Sequence, residues 1–289
     1  MAEQLSADIA RQNREPLYGT IKSAEVWLLL EYNGVYTNQA WDDARIPDDV
    51  KAKLNDYPNG RALLVRQPDQ INALDRKISL FVVDAVANTP AVYHIEMQSY
   101  TDVLDLDIDA VRAGEIVTSE TTPLYVICTN GKRDMCCSKY GVALYNAMRE
   151  RVHEQVWQAS HIGGHRFAGT MYCFPDAICY GFLEASDSDA IISSYQNREL
   201  LLDKLRGHAI YDKPAQAAEY YLRRRLGNIK LDDVKVESQN GNQIDFRVND
   251  MHYRVTIADG KPLQVIATTG DETFKEVPQF KLVDIQQLS

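Results

Sequence analysis

Two cysteines nine positions apart, Cys128 and Cys137, and two histidines four apart, His161 and His165, are the residues of this sequence best equipped for chemistry. Two thiolates and two imidazoles make a donor set suited to zinc or to an iron–sulfur cluster. On a helix the histidine spacing would put both rings on one face, as in zinc proteases that carry a glutamate between their histidines. Here Gly163 and Gly164 lie between them, and no glutamate does. Two glycines cost about 2 kcal/mol relative to alanines inside a helix. The segment therefore reads as a tight loop, which lets the backbone approach a bound group closely and turns both rings inward. The step between the cysteines is longer than the spacer of a zinc knuckle or of a thioredoxin dithiol. Such a loop wraps a two-iron cluster more readily than one small ion, which favours iron–sulfur over zinc without excluding zinc.

The other candidates have plainer readings. Cys136 adjoins Cys137, but a vicinal disulfide is strained, and a buried thiol beside the site is the simpler expectation. Cys173 and Cys179 lie in apolar text, where cysteine serves as a small hydrophobe. His94, His208 and His252 stand alone on strand or loop patterns and read as structural, and His153 falls at a helix end, where a cation is favourable. Trp27, Trp157 and Phe167 read as core, the last two flanking the histidine loop. No Walker loop, G-x-G-x-x-G or G-x-S-x-G occurs, so no catalytic residues are assigned.

The elements that must position these groups are legible around them. The run Pro123 to Cys128 is a buried-strand pattern and delivers Cys128 to a strand's C-terminal end, where α/β sheets place their sites. A loop, Thr129 to Asp134, leads to Cys136 and Cys137, and a helix is predicted from about Tyr140 to Val152 with Val142, Leu144, Ala147 and Met148 as its apolar stripe. Val156 to Ala159 is a short strand leading into His161. Thr170 to Phe174 and Ala177 to Leu183 are strands joined at Pro175-Asp176. Upstream, strands over 25–31, 62–66, 78–84 and 92–96 and a helix from Pro47 into Leu54 make a further α/β unit ending near Gly114. Downstream, a helix from Ala215 stops at Gly227, and alternating strands follow at 234–237, 243–248, 252–257 and 263–267. No internal repeat is evident in the sequence.

A chain of 289 residues with 45% apolar and 25% charged residues has room for about two domains. Its net charge of −10 argues against nucleic-acid or anionic-membrane partners, and Arg223-Arg224-Arg225 reads as a solvated helix face. The first residues lack the basic and apolar stretches of a signal peptide, and the apolar runs are strand-sized. A cytoplasmic location is expected, where an odd count of five cysteines points to metal ligands or redox thiols rather than disulfides.

The run Cys128 to Cys137 (CTNGKRDMCC), followed by Trp157 to Ala168 (WQASHIGGHRFA), resembles the sucraseferredoxin-like family of thioredoxin-fold 2Fe–2S proteins. The resemblance extends to Glu15–Thr20, Trp27–Glu31, Leu104–Asp107, Pro175-Asp176, Tyr180-Gly181 and Gln216–Glu219, over most of residues 8 to 227. It implies a 2Fe–2S cluster held by Cys128, Cys137, His161 and His165, with Cys136, Arg166, Lys132 and Arg133 around it. Asp8 and Ala159 stand where many relatives carry cysteine. The expected fold is α/β: an arm (1–20), an N-terminal α/β unit (21–120), a thioredoxin-like ferredoxin domain (121–213) and a small α+β C-terminal module (214–289). The expected function is electron transfer or redox sensing with an unidentified redox partner protein, more an electron carrier than an enzyme. A thiol oxidoreductase and a structural Cys2His2 zinc protein are the alternatives. Ligation by two imidazoles makes a cluster easier to reduce, as in Rieske centres at about −150 to +300 mV against about −400 mV for all-cysteine plant-type clusters.

Overall fold

A computed structural model describes residues 4–68 and 77–288; residues 1–3 of the predicted arm lie outside them. Helix α1 (Ser6–Gln12) precedes strand β1 (Val26–Glu31), whose six residues are all buried: the apolar run Val26–Leu30 calls for an interior strand, and Glu31 closes it. Helices α2 (Ala40–Asp43) and α3 (Asp48–Asn55) lead to β2 (Gly60–Arg66), parallel to β1. Strands β3 (Ile78–Asp84) and β4 (Ala91–Met97) add antiparallel to β1 and to each other, and α4 (Ile108–Arg112) follows.

The second stretch repeats that plan. Strand β5 (Leu124–Cys128) runs through α5 (Met135–Val152) to a parallel partner, β6 (Val156–Ala159). Strands β7 (Met171–Phe174) and β8 (Ile178–Tyr180) then add antiparallel to β5 and to each other, before α6 (Ser188–Gln196) and β9 (Leu205–His208). A βαβ unit followed by a hairpin and a helix, in the sheet order β6-β5-β7-β8, is the thioredoxin-like arrangement. The first stretch has the same order, β2-β1-β3-β4, with the same strand directions. The two stretches join edge to edge through antiparallel β2 and β6, giving one nine-stranded sheet. Cys128, Ala159, Val65 and Glu31 form a row across it, so Glu31 occupies in the first half the place of Cys128 in the second. This repeat of topology has no repeat of residues to announce it.

Helix α5 starts at Met135, five residues before the predicted start. The Asp134 side chain accepts from Cys136 N at 2.8 Å and caps the helix, which draws Cys136 and Cys137 out of the expected loop into the first turn. Its buried face is Cys136, Cys137, Gly141, Leu144, Tyr145, Met148 and Val152, whereas Val142 and Ala147 are only half-buried.

Helix α7 (Lys213–Leu226) ends at Gly227 in the left-handed region (φ 64°), as predicted. Strands β10 (Val234–Asn240), β11 (Gln243–Val248) and β12 (Met251–Asp259) follow. The order β10-β11-β12-β15 is completed by β15 (Phe280–Leu288), and β13 (Leu263–Val265) pairs with β14 (Lys275–Val277) in a separate ribbon. The last two strands escape a pattern search because β15 is mostly exposed and bulged against β12. Alternate residues Ile244, Phe246, Val248, Tyr253, Val255 and Ile257 pack on Ala215, Ala218 and Leu222 of α7. Arg223 departs from the expected solvated face: it is fully buried, with Nε and Nη2 bonded to Glu219 Oε1 at 3.0 and 2.9 Å and Nη2 to Leu231 O at 3.1 Å. A carboxylate one turn earlier and a carbonyl satisfy its charge, while Arg224 and Arg225 stay exposed. Among the described residues, no helix is long and apolar enough to cross a membrane.

Candidate metal centre

Cys128 closes β5, and its N–H donates to Thr170 O on the way into β7. The loop that follows is shaped by Asn130, whose Oδ1 accepts from the N–H groups of Lys132 (3.1 Å) and Arg133 (3.3 Å) while its Nδ2 donates to Thr37 O in the first half. Helix α5 then returns close enough for Cys137 to meet Cys128. That approach depends on Gly141, because a Cβ there would lie 2.0 Å from the Cys128 carbonyl oxygen. A glycine inside a helical pattern is the sequence signal for such a contact.

The histidines come from the chain beyond β6. Ser160 N donates to Leu64 O, so the loop runs alongside β2, and Arg61 donates to Ile162 O. Gly163 and Gly164 have φ of 106° and 70°, confirming the tight loop read from the sequence and rejecting a helix. Arg206, buried and without a carboxylate hydrogen-bonded to it among the described residues, donates to Gly163 O at 2.8 Å and to Thr20. A Cβ on Gly164 would lie 2.5 Å from its guanidinium. Arg61 and Arg206 thus clamp the loop from two sides, and neither carries a local sequence signal.

These elements bring three of the four residues together. The Cys128 and Cys137 Sγ atoms are 3.5 Å apart and hydrogen-bonded, Cys128 Sγ is 3.9 Å from His161 Nδ1, and all three donor atoms lie within 4.8 Å of one another. Two thiolates on one tetrahedral metal, with bonds of about 2.3 Å, would sit about 3.8 Å apart, so the cysteine pair has one-metal spacing. His165 stands beside them, its ring 5.9 Å from that of His161 and tilted by 34°. Its Nε2 faces Thr268 Oγ1 at 3.2 Å and Asp134 Oδ2 at 3.7 Å; its Nδ1 is buried without a hydrogen-bond partner among the described residues. An orphaned buried ring nitrogen beside two thiols and an imidazole fits a missing electrophile.

The electrostatics agree. Hydrogen bonding from Cys137 and the neighbouring His161 hold the Cys128 thiol well below its usual range despite burial. The Cys137 thiol is pushed up by the same bond and by burial, so the pair sheds its first proton from Cys128. Burial lowers His165, with Asp134 in part opposing it, which keeps the ring neutral and able to bind a metal. Burial pushes Asp134 up, but N–H donors from Thr269 and Cys136 outweigh it and hold the carboxyl down.

The surrounding residues are placed less uniformly. Cys136 is buried facing α1 and the C-terminal module, with Ser6 Oγ at 3.5 Å, Ala7 N at 3.4 Å and Thr269 Oγ1 at 3.3 Å. Burial raises its thiol. Arg166 pairs with Glu15 at 2.9 Å, which neutralises the charge expected to face the site. Lys132 and Arg133 are exposed on the cysteine loop, Arg133 reaching Asn38. Asp8 bonds to Tyr140 and Lys139, holding α1 on α5, and Ala159 sits directly beside Cys128 in the sheet.

Fold and donor set together define a thioredoxin-like protein with a buried soft-donor site at a strand end. The chain belongs to the sucrase/ferredoxin-like family, whose sequence model matches residues 17–207. It is 28% identical over 99 residues to "Altered inheritance of mitochondria protein 32" of Meyerozyma guilliermondii, a match over 30% of this chain and 35% of that protein. It is also similar to a cysteine-to-serine variant of the thioredoxin-like [2Fe-2S] ferredoxin from Aquifex aeolicus, at 12% identity and a TM-score of 0.27, covering 29% of this chain and 97% of that one.

Proposed function

We propose that the protein holds a 2Fe–2S cluster, for which Cys128, Cys137, His161 and His165 would be the ligands, and that it carries electrons or senses redox state. The observation that supports this best is the thiol pair at one-metal spacing, next to two imidazoles whose Nδ1 atoms are the nearer or the unpartnered ones, in a chain of this family. When bound, the cluster would accept and release one electron. The two thiolates balance the charge of its oxidised core, and the neutral imidazoles make reduction easier than four thiolates would. Arg61 and Arg206 hold the histidine loop in place through Ile162 O and Gly163 O. The exposed cysteine loop, with Lys132, Arg133 and Met135, offers a cationic docking edge for an acidic redox partner protein in a chain that is otherwise strongly acidic. Free cysteines throughout the described residues suit a reducing compartment such as the cytoplasm.

One observation favours a second reading: a triad of donor atoms within 4.8 Å is compact enough for a single zinc ion. Thiol exchange is disfavoured, because Cys128 and Cys137 are 3% and 1% exposed and an attacking thiolate needs access. Metal and sulfide analysis of anaerobically purified protein separates the readings. The cluster reading expects a red-brown protein with about two irons and two acid-labile sulfides per chain. One tightly bound zinc in a colourless protein would overturn it.

A further inference from the structure

The family match ends at residue 207, yet the C-terminal module beyond it reaches back to the site. The connection between β13 and β14 lays Thr268 and Thr269 against the second histidine and the helix cap. Thr269 donates from N to Asp134 Oδ2 at 2.9 Å and from Oγ1 to Asp134 Oδ1 at 3.0 Å, and its hydroxyl also meets Cys136 and Ser6 N. Thr268 is fixed by its own N–H, bonded to Asp271 Oδ2 at 3.1 Å, which leaves its hydroxyl to His165 Nε2 at 3.2 Å.

We propose that Thr268, backed by Asp134, is a positioning residue that holds His165 as the Nε2–H tautomer and turns its bare Nδ1 to the metal; this rests on the cluster reading. A neutral imidazole has one N–H and one bare nitrogen, and the partner of one decides the state of the other. Nε2 faces a hydroxyl and, at 3.7 Å, a carboxylate. The hydroxyl can donate or accept, but the carboxylate's negative charge lies on the Nε2 side of the ring and favours the proton there. Nδ1 is then a buried acceptor with no hydrogen-bond partner among the described residues, a state that is destabilising unless an electrophile fills it. The hydroxyl is the outer partner that fixes a metal-bound ring and raises its basicity. The C-terminal module is thereby part of the site and not an appendage to it.

The test uses the full chain and three variants, Thr268→Val, Thr268→Ser and Asp134→Asn. In metal-free protein, long-range proton–nitrogen correlation spectra, assigned with His165→Gln, read the His165 tautomer directly. Wild type is expected as the Nε2–H form by about tenfold or more; Thr268→Val lowers that ratio about fivefold, the worth of one hydrogen bond, and Thr268→Ser restores it. Asp134→Asn, which keeps the helix cap, also lowers it. In iron-loaded protein, Thr268→Val moves the redox equilibrium about fivefold toward the reduced form, because a less basic ligand stabilises the oxidised state less, and Thr268→Ser leaves it in place. A wild-type ring protonated on Nδ1, or a tautomer ratio and potential unmoved in Thr268→Val, overturns the proposal, since a purely structural threonine would change only thermal stability. Absence of iron and sulfide would instead defeat the cluster reading, with the tautomer result still legible.

Discussion

At the scale of single residues, the candidate donors were legible because their chemistry is: few side chains bind soft metals, the cysteine step is too long for a knuckle, and two glycines take the histidine pair off a helix. Replacing one donor should therefore be decisive. Cys128→Ser is expected to purify with most of its iron lost, whereas Cys173→Ser, buried on the opposite face of the sheet among Tyr125, Ile127 and Met171, keeps its full complement; equal iron in both would remove Cys128 from the site. Histidine ligation carries a second expectation. A ring bound through Nδ1 can lose its outer proton more easily when the metal is oxidised, so the reduction potential should fall as pH rises between about 6 and 10. Protein-film voltammetry reads this, and a flat profile contradicts it. What the sequence hid were the residues acting on the donors. Arg61, Arg206, Asp134 and Thr268 are ordinary surface types in the text, and only the fold brings them to the histidine loop.

Among the elements, the strands and the helix that carry the site were readable from period and from turn residues, because buried strands and an amphipathic helix leave strong local patterns. The start of α5 was not, since one capping aspartate outweighs the loop-like text around Asn130 and Gly131. The exposed strands β14 and β15 of the C-terminal module carry no such signal for the converse reason, having no fully buried face to set an alternation. The contact of α5 with the end of β5 is the joint on which the thiol pair depends. Gly141→Ala places a methyl group against the Cys128 carbonyl, and overpacking of this kind costs about 1–3 kcal/mol. Denaturant unfolding should show that loss, and the cysteine pair, pushed apart, should retain less metal than wild type. An unchanged midpoint with full metal would mean that the helix shifts freely and the joint is loose.

For the whole molecule, two stretches of one topology share a sheet, and among the described residues the second carries the candidate donor Cys128 at the strand end where the first presents buried Glu31, which accepts from Ser79 N at 3.0 Å. The first half contributes support instead: β2 backs the histidine loop, and Tyr36 and Thr37 meet β6 and the cysteine loop. Stability should show this long-range packing through histidines remote from the site. Burial lowers both His94 and His208. A histidine with a depressed folded value contributes stability that is complete above its unfolded value of about 6.5 and is lost as pH falls through the folded one. Denaturation midpoints of the metal-free protein should therefore drop between about pH 7.5 and 5.5, and His208→Gln should flatten the drop; a midpoint that rises on acidification contradicts the sign. Ligation of a cluster by two imidazoles is read out by pulsed electron paramagnetic resonance of the reduced protein. Two strongly coupled nitrogens are expected, one vanishing in His161→Cys and the other in His165→Cys. A signal without nitrogen coupling, or no signal from protein holding one zinc, would contradict it.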